Sequence, residues 1–170
     1  ALSVVSLDSG LEFIAGSATV AAVADTTVNS SVVGNLSTTP AAIAPTVNGS
    51  GLLFQLGTVT NNDNDANAEQ LVLRFDVVAR NTTANNRTDA LDIDAGLNYR
   101  NAAGNAQALS DTATLRIAEP NRSIGKSASP GTVGQGTTVT FTVVLTNSTG
   151  TDVARAWEPV VTDALPAPYT

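Results

Sequence analysis

Lys126 is the only lysine in the chain, and it follows Ile124 by two residues, on the parity that an extended strand turns toward an apolar face. Asp111 shares the inward parity of Ala113, Leu115 and Ile117, while Thr112, Thr114 and Arg116 take the outward side. An unpaired charge on an inward face costs on the order of several kcal/mol, so both groups need partners.

A second acidic cluster suggests metal chemistry. Asp63, Asp65 and Asn67 alternate as the oxygen ligands of a calcium loop do, with Glu69 nearby. The sixth position holds Ala68, where a sharp turn favours glycine, and the twelfth holds Arg74, where a calcium loop has a bidentate glutamate. Asp89, Asp92 and Asp94 would assist if the two turns lie close. The competing reading of these residues is a set of solvated Asx turns. The glycine-rich run at 131–138, GTVGQGTT, looks like a phosphate loop but leads into a strand and lacks the following lysine, so it reads as a turn.

Seven sequons occur, at Asn29, Asn35, Asn48, Asn81, Asn86, Asn121 and Asn147, and they imply surface positions that become glycosylated only where the source performs that modification. The chain contains no histidine and no cysteine. Those absences remove the Ser/His/Asp triad, thiolate nucleophiles, His or Cys zinc sites and disulfides. Paired carboxylates remain as an enzymatic option. A carboxylate hydrolase would place two of them about 5–10 Å apart across a cleft, and no sequence feature favours it. Eight basic residues and a net charge of −7 offer no basic surface for nucleic acid or anionic lipid. An aromatic content of 4% makes a sugar-binding platform hard to build, and the single tryptophan, Trp157, reads as a core anchor.

The elements that would position these residues are strands. The 170 residues are 42% hydrophobic, rich in Thr, Val, Ala and Asn, with 13 Gly and 7 Pro, and no segment sustains a 3.6-residue period. Short apolar runs at 2–5, 11–14 and 17–23 precede a polar stretch, 24–50, which reads as loops with one short strand near 31–33. Residues 52–56 alternate, and 71–78 read as one clear strand. After the polar connection 81–89, strands are expected at 91–99 and 111–117, joined by the turn NAAGNA. Glu119 and Pro120 mark a boundary. Beyond it, Val139, Phe141, Val143 and Leu145 alternate with threonines as a half-buried strand does. The expected class is an all-β sandwich. No signal peptide, membrane-spanning run or sorting motif is legible, so Ala1 reads as a cut in a longer chain or a mature end.

Residues 119–150 carry I-x-K, then S-P, a glycine turn, T-V-T-F-T-V and T-N. In that order they resemble the opening of the DUF11-type, isopeptide-forming repeat domains of bacterial or archaeal surface adhesins and fimbrial proteins. GLEFIAGSATV at 10–20, LLFQLGTVTNNDND at 52–65 and LSDTATLRIAEP at 109–120 are similar to later segments of the same family. The resemblance covers most of the chain and is weakest at 24–50. It implies an immunoglobulin-like β-sandwich in a permuted frame. Residues 1–118 would be a domain lacking its first strands, and 119–170 the first strands of the next. It also implies an isopeptide bond, with Lys126 as the nucleophile and Asp163, in VVTDALP, as the catalytic acid. The acceptor would be Asp111 or, more weakly, Asn98, since the family's usual asparagine falls near Ile93. Burial would favour the neutral amine and the protonated acid that such a bond needs.

The expected role is therefore that of a non-enzymatic structural repeat or subunit of an extracellular, cell-surface fibre, stalk or filament. Its partners would be identical or homologous neighbours, met by donor-strand complementation or by chain continuation in a tandem array. No nucleic acid, no membrane insertion and no cofactor beyond the calcium candidate is expected. The alternative is a ligand-binding adhesin module, for which an exposed aromatic or apolar patch would speak.

Overall fold

The computed structural model describes residues 2–23, 28–62, 65, 68, 70–101 and 103–164. Among these residues there is no helix. The strands in chain order are β1 (Leu2–Leu7), β2 (Leu11–Phe13), β3 (Thr19–Ala22), β4 (Val28–Ser30), β5 (Gly34–Leu36), β6 (Ala41–Ala42), β7 (Thr46–Asn48) and β8 (Gly51–Phe54). They continue with β9 (Val59–Asn61), β10 (Leu71–Arg74), β11 (Val77–Ala79), β12 (Ala90–Arg100), β13 (Ala106–Arg116), β14 (Arg122–Ser129) and β15 (Thr140–Asn147). Among the described residues all the strand pairs are antiparallel, and an isolated parallel bridge joins Glu119 and Val153. The chain divides into two compact units, 1–85 with 89–117, and Asn86–Thr88 with Ala118–Thr170.

The first unit is built on a five-stranded sheet in the order β13-β12-β1-β8-β7. Leu7, Leu52, Phe54 and Leu91 project from it into a buried cluster with Leu11 and Ala18, and Phe13, Leu73, Phe75 and Val77 pack against that cluster from the facing strands. Phe75 bridges the layers, its ring 5.8 Å from that of Phe54 and 6.3 Å from that of Phe13. A second cluster, Val20, Ala22, Val28, Leu36 and Leu56, fills the space under β4 and β5. The fold is an all-β sandwich, the architecture that period-2 alternation without helical periodicity predicts.

Three local expectations are corrected. Residues 31–33 are the turn between β4 and β5, and the strands flank it. There the buried Ser30 hydroxyl donates to Leu56 O (2.6 Å) and accepts from the amides of Val32 and Val33, while Gly34 takes a φ of 90°. The polar stretch 24–50 holds β4, β5, β6 and β7, because small residues suffice where strands are short and their partners supply the burial. The run 71–78 is two strands. β10 pairs with β3 and β11 with β2, and the partner chain turns between those two through Gly16, at a φ of 80°. The break is sealed where Asp76 donates its N–H to Ser17 Oγ (2.9 Å) and accepts from Ile14 N (3.0 Å).

Asn85 closes the other end of β11. Its Nδ2 donates to Gly10 O (3.0 Å) and Arg80 O (2.7 Å), and a Cβ at Gly10 would collide with its side-chain amide. Removing both donors leaves two carbonyls under-satisfied in a buried position. Asn85→Ala is therefore expected to cost about 1–3 kcal/mol in chemical denaturation of this unit.

In the second unit, β14 and β15 form one hairpin in the register Ile124↔Leu145, Lys126↔Val143 and Ala128↔Phe141. Behind it, Ala154 N donates to Glu119 O (3.0 Å), and the Glu119 carboxylate accepts from Arg87 N (3.0 Å). Every residue of both strands is exposed. A two-stranded hairpin is marginal without a layer against its apolar face.

Candidate functional site

The register of the hairpin sets the geometry of Lys126. Cross-strand pairing puts Ile124, Lys126 and Ala128 on one face with Leu145, Val143 and Phe141, and leaves Ser123, Ser127, Thr142 and Thr146 on the other. The short side chain of Ala128, directly opposite Phe141, leaves room on that face. Lys126, diagonal to Phe141, lays its ammonium 4.7 Å from the ring centroid. Nζ also donates to both carboxylate oxygens of Asp163, at 2.7 and 2.8 Å. The structure thus brings together two of the four residues singled out for isopeptide chemistry. Phe141 was not singled out, although its strand parity with Val143 and Leu145 carries the signal.

Lys126 and Asp163 are 41% and 40% exposed, so Lys126 points into an apolar face but not into a core. A pair this wet contributes at most about 1 kcal/mol. Beyond Lys126 the face stays bare, with Ile124 at 63% exposure. Residues 159–161 pass beside its open end and form a shallow groove of about 230 Å³ with Arg122, Ile124 and Leu145. Trp157 is no core anchor. It is 78% exposed, with the Arg155 guanidinium 5.6 Å from its ring.

Asp111 lies on β13, directly opposite Ala95, in the same register that pairs Leu115 with Leu91, Ala113 with Ile93 and Leu109 with Leu97. It therefore shares the face that reaches the core at Leu91. The expected burial does not follow. β13 is the outermost strand of its sheet and is exposed along its whole length, since the core covers only one end of this face. Leu91 is buried, whereas Leu97 and Leu109 at the far end are 36% and 62% exposed. One Asp111 carboxylate oxygen accepts from Thr112 N (2.9 Å). Asn98, paired with Ala108, lies on the opposite face from Leu97 and so does not share a surface with Asp111.

Of the calcium candidates, Asp63, Asn67 and Glu69 lie outside the described residues, and Asp65 is exposed. Asp92 and Asp94 are used within the sheet, where they accept from Thr114 Oγ1 (2.6 Å) and Thr112 Oγ1 (2.7 Å). No three acidic side chains gather as a metal site among the described residues. All seven sequon asparagines are exposed. No family model, no curated protein and no solved structure matches the chain.

Proposed function

We propose that this chain is a repeat or subunit of an extracellular surface fibre, and that the β14–β15 hairpin of one copy covers the bare half of the β12–β13 face in the next. One observation carries the reading. The chain presents two uncovered apolar strand faces, one carrying the Lys126–Asp163 ion pair amid Ile124, Val143 and Leu145, the other carrying the carboxylate of Asp111 amid Leu97, Leu109 and Ala113. Uncovered apolar faces and open sheet edges are liabilities unless something pairs with them. The similarity of the motifs to surface-fibre repeats supports the same reading, with an immunoglobulin-like domain divided between neighbouring copies.

In such a joint, water leaves Lys126, Asp163 and Asp111 together, and burial favours the neutral amine and acid. Asp163 takes a proton from the Lys126 ammonium. The freed amine attacks the carboxyl carbon of protonated Asp111, the C–N bond forms, the C–O bond breaks, and the leaving hydroxyl takes one proton from the attacking nitrogen and departs as water, which leaves a neutral amide. In the free subunit both carboxylate oxygens of Asp163 hold Lys126 Nζ, so the bond awaits docking.

The test is boiling denaturing electrophoresis and intact mass of the chain purified from its source. The expected result is a ladder in steps of one subunit mass, each junction lighter by one water. Lys126→Met is expected to abolish the ladder while shifting the hairpin unit's stability by less than about 1 kcal/mol. A polymer that boiling disperses into unmodified chains keeps the joint and removes the bond. A monomer, at full mass or lighter by one water, overturns the fibre reading.

A further inference from the structure

We propose that the chain carries N-linked glycans at Asn48 and Asn81, which shield the flank of the sandwich and leave the joining faces bare. The inference rests on the reading that the chain is exported to the cell surface. With 15 asparagines and 36 serines and threonines in 170 residues, composition alone gives about three sequons, and the chain has seven.

The structure separates these seven. A sequon needs its asparagine amide and the hydroxyl two residues on to be accessible together. Asn147 Nδ2 already donates to Ala154 O (3.0 Å), at the end of the hairpin face that carries Lys126. At Asn29 the required hydroxyl, Ser31 Oγ, is occupied by Thr58 N (2.9 Å). Asn29 also stands directly across from Asn35, and cross-strand neighbours about 5 Å apart leave no room for two sugars. Asn86 and Asn121 flank Glu119, where Arg87 N and Ser148 N tie the base of the hairpin. Asn48 and Asn81 differ. Each is exposed and follows strand into turn, Asn48 before Gly49 at a φ of 61° and Asn81 just past β11, and neither side-chain amide is hydrogen-bonded among the described residues.

Their placement has a physical consequence. The five-stranded sheet has two edges, β13 and β7, and an exposed edge templates pairing with any passing strand. A sequon sits at the end of β7, and none occurs between residues 90 and 117. A sugar on Asn48 blocks the β7 edge and leaves β13 as the one edge open to a neighbour. In the transfer, Asn Nδ2 attacks the anomeric carbon of an activated glycosyl donor with a phosphate leaving group. The C–N bond forms, the C–O bond to phosphate breaks, and the amide gives up one proton; the exporting cell supplies donor and transferase.

The experiment is intact mass and glycopeptide mapping of the full chain from its native cells. Expected are masses above 17.2 kDa by whole sugar residues, with sugars mapped to Asn48 and Asn81, no chain modified at both Asn29 and Asn35, and Asn147 empty. The Asn48→Gln, Asn81→Gln double variant should lose that added mass. An unmodified chain, or sugars at Asn147 with none at Asn48 and Asn81, overturns the proposal. Glycosylated chains that stay monomeric would sink the fibre reading and keep the sites, whereas a polymer of bare chains would do the reverse.

Discussion

Phe54→Ala is expected to destabilise the sandwich unit by about 3–5 kcal/mol, the largest loss expected of a single side-chain truncation in this chain. Phe54 is fully buried at 0% exposure, on the strand that hydrogen-bonds β1 on one side and β7 on the other. Its ring stands 5.8 Å from Phe75, the residue at the break between β10 and β11. Truncation opens a cavity where two layers meet, and Phe75 then loses a neighbour while its own backbone is held by the Ser17–Asp76 contact. Thermal unfolding followed by circular dichroism checks this. With ordinary domain stabilities of about 5–15 kcal/mol, a loss of this size leaves the unit marginal near room temperature. A loss below about 1 kcal/mol would mean that the layers repack freely, contrary to the interlocked rings.

Much of this architecture was legible because burial and strand period coincide in the longest segments. β12 and β14 fall where apolar parity places them, and the turn NAAGNA joins β12 to β13 as its glycine and asparagines suggest. Two of the misread places share a cause, in that the surroundings of a strand decide the outcome and sequence periodicity sees one strand at a time. The alternation through Leu71, Leu73, Phe75 and Val77 is unbroken, yet the strand breaks because the chain beside it turns at Gly16. Asp111 shows the same limit. Its parity identified the right face of the sheet, but parity carries no information about how far along that face the core extends, and the cover ends near Leu91. Trp157 was misread for a different reason, since a residue outside any strand has no parity to argue from.

Placing charge on the bare hairpin face is expected to abolish association between copies while leaving each copy folded. Ile124 precedes Lys126 by two residues on the same strand and Val143 lies directly across from it, and both are exposed in the single chain. The double variant Ile124→Asp, Val143→Asp therefore costs the isolated chain little, because neither side chain contributes to a buried cluster. In a joint the two positions would be central and dry, and central contacts of that kind carry about 2 kcal/mol each or more. Two of them correspond to roughly a thousandfold weaker association. The double variant Ser127→Asp, Thr146→Asp, on the opposite face of the same hairpin, is the matched control and should assemble normally, since it adds the same charge to a surface the joint does not use. Sedimentation velocity over a concentration series reads the effect, with thermal unfolding alongside to confirm that the sandwich unit is unchanged. If the double variant assembles as well as the control, the hairpin face is not the joining surface, and its apolar residues would need another cover. If both variants fail alike, the added charge itself, and not the face it occupies, would be the cause. Only loss in the first with retention in the second follows from one copy's apolar face seating on the acidic face of the next.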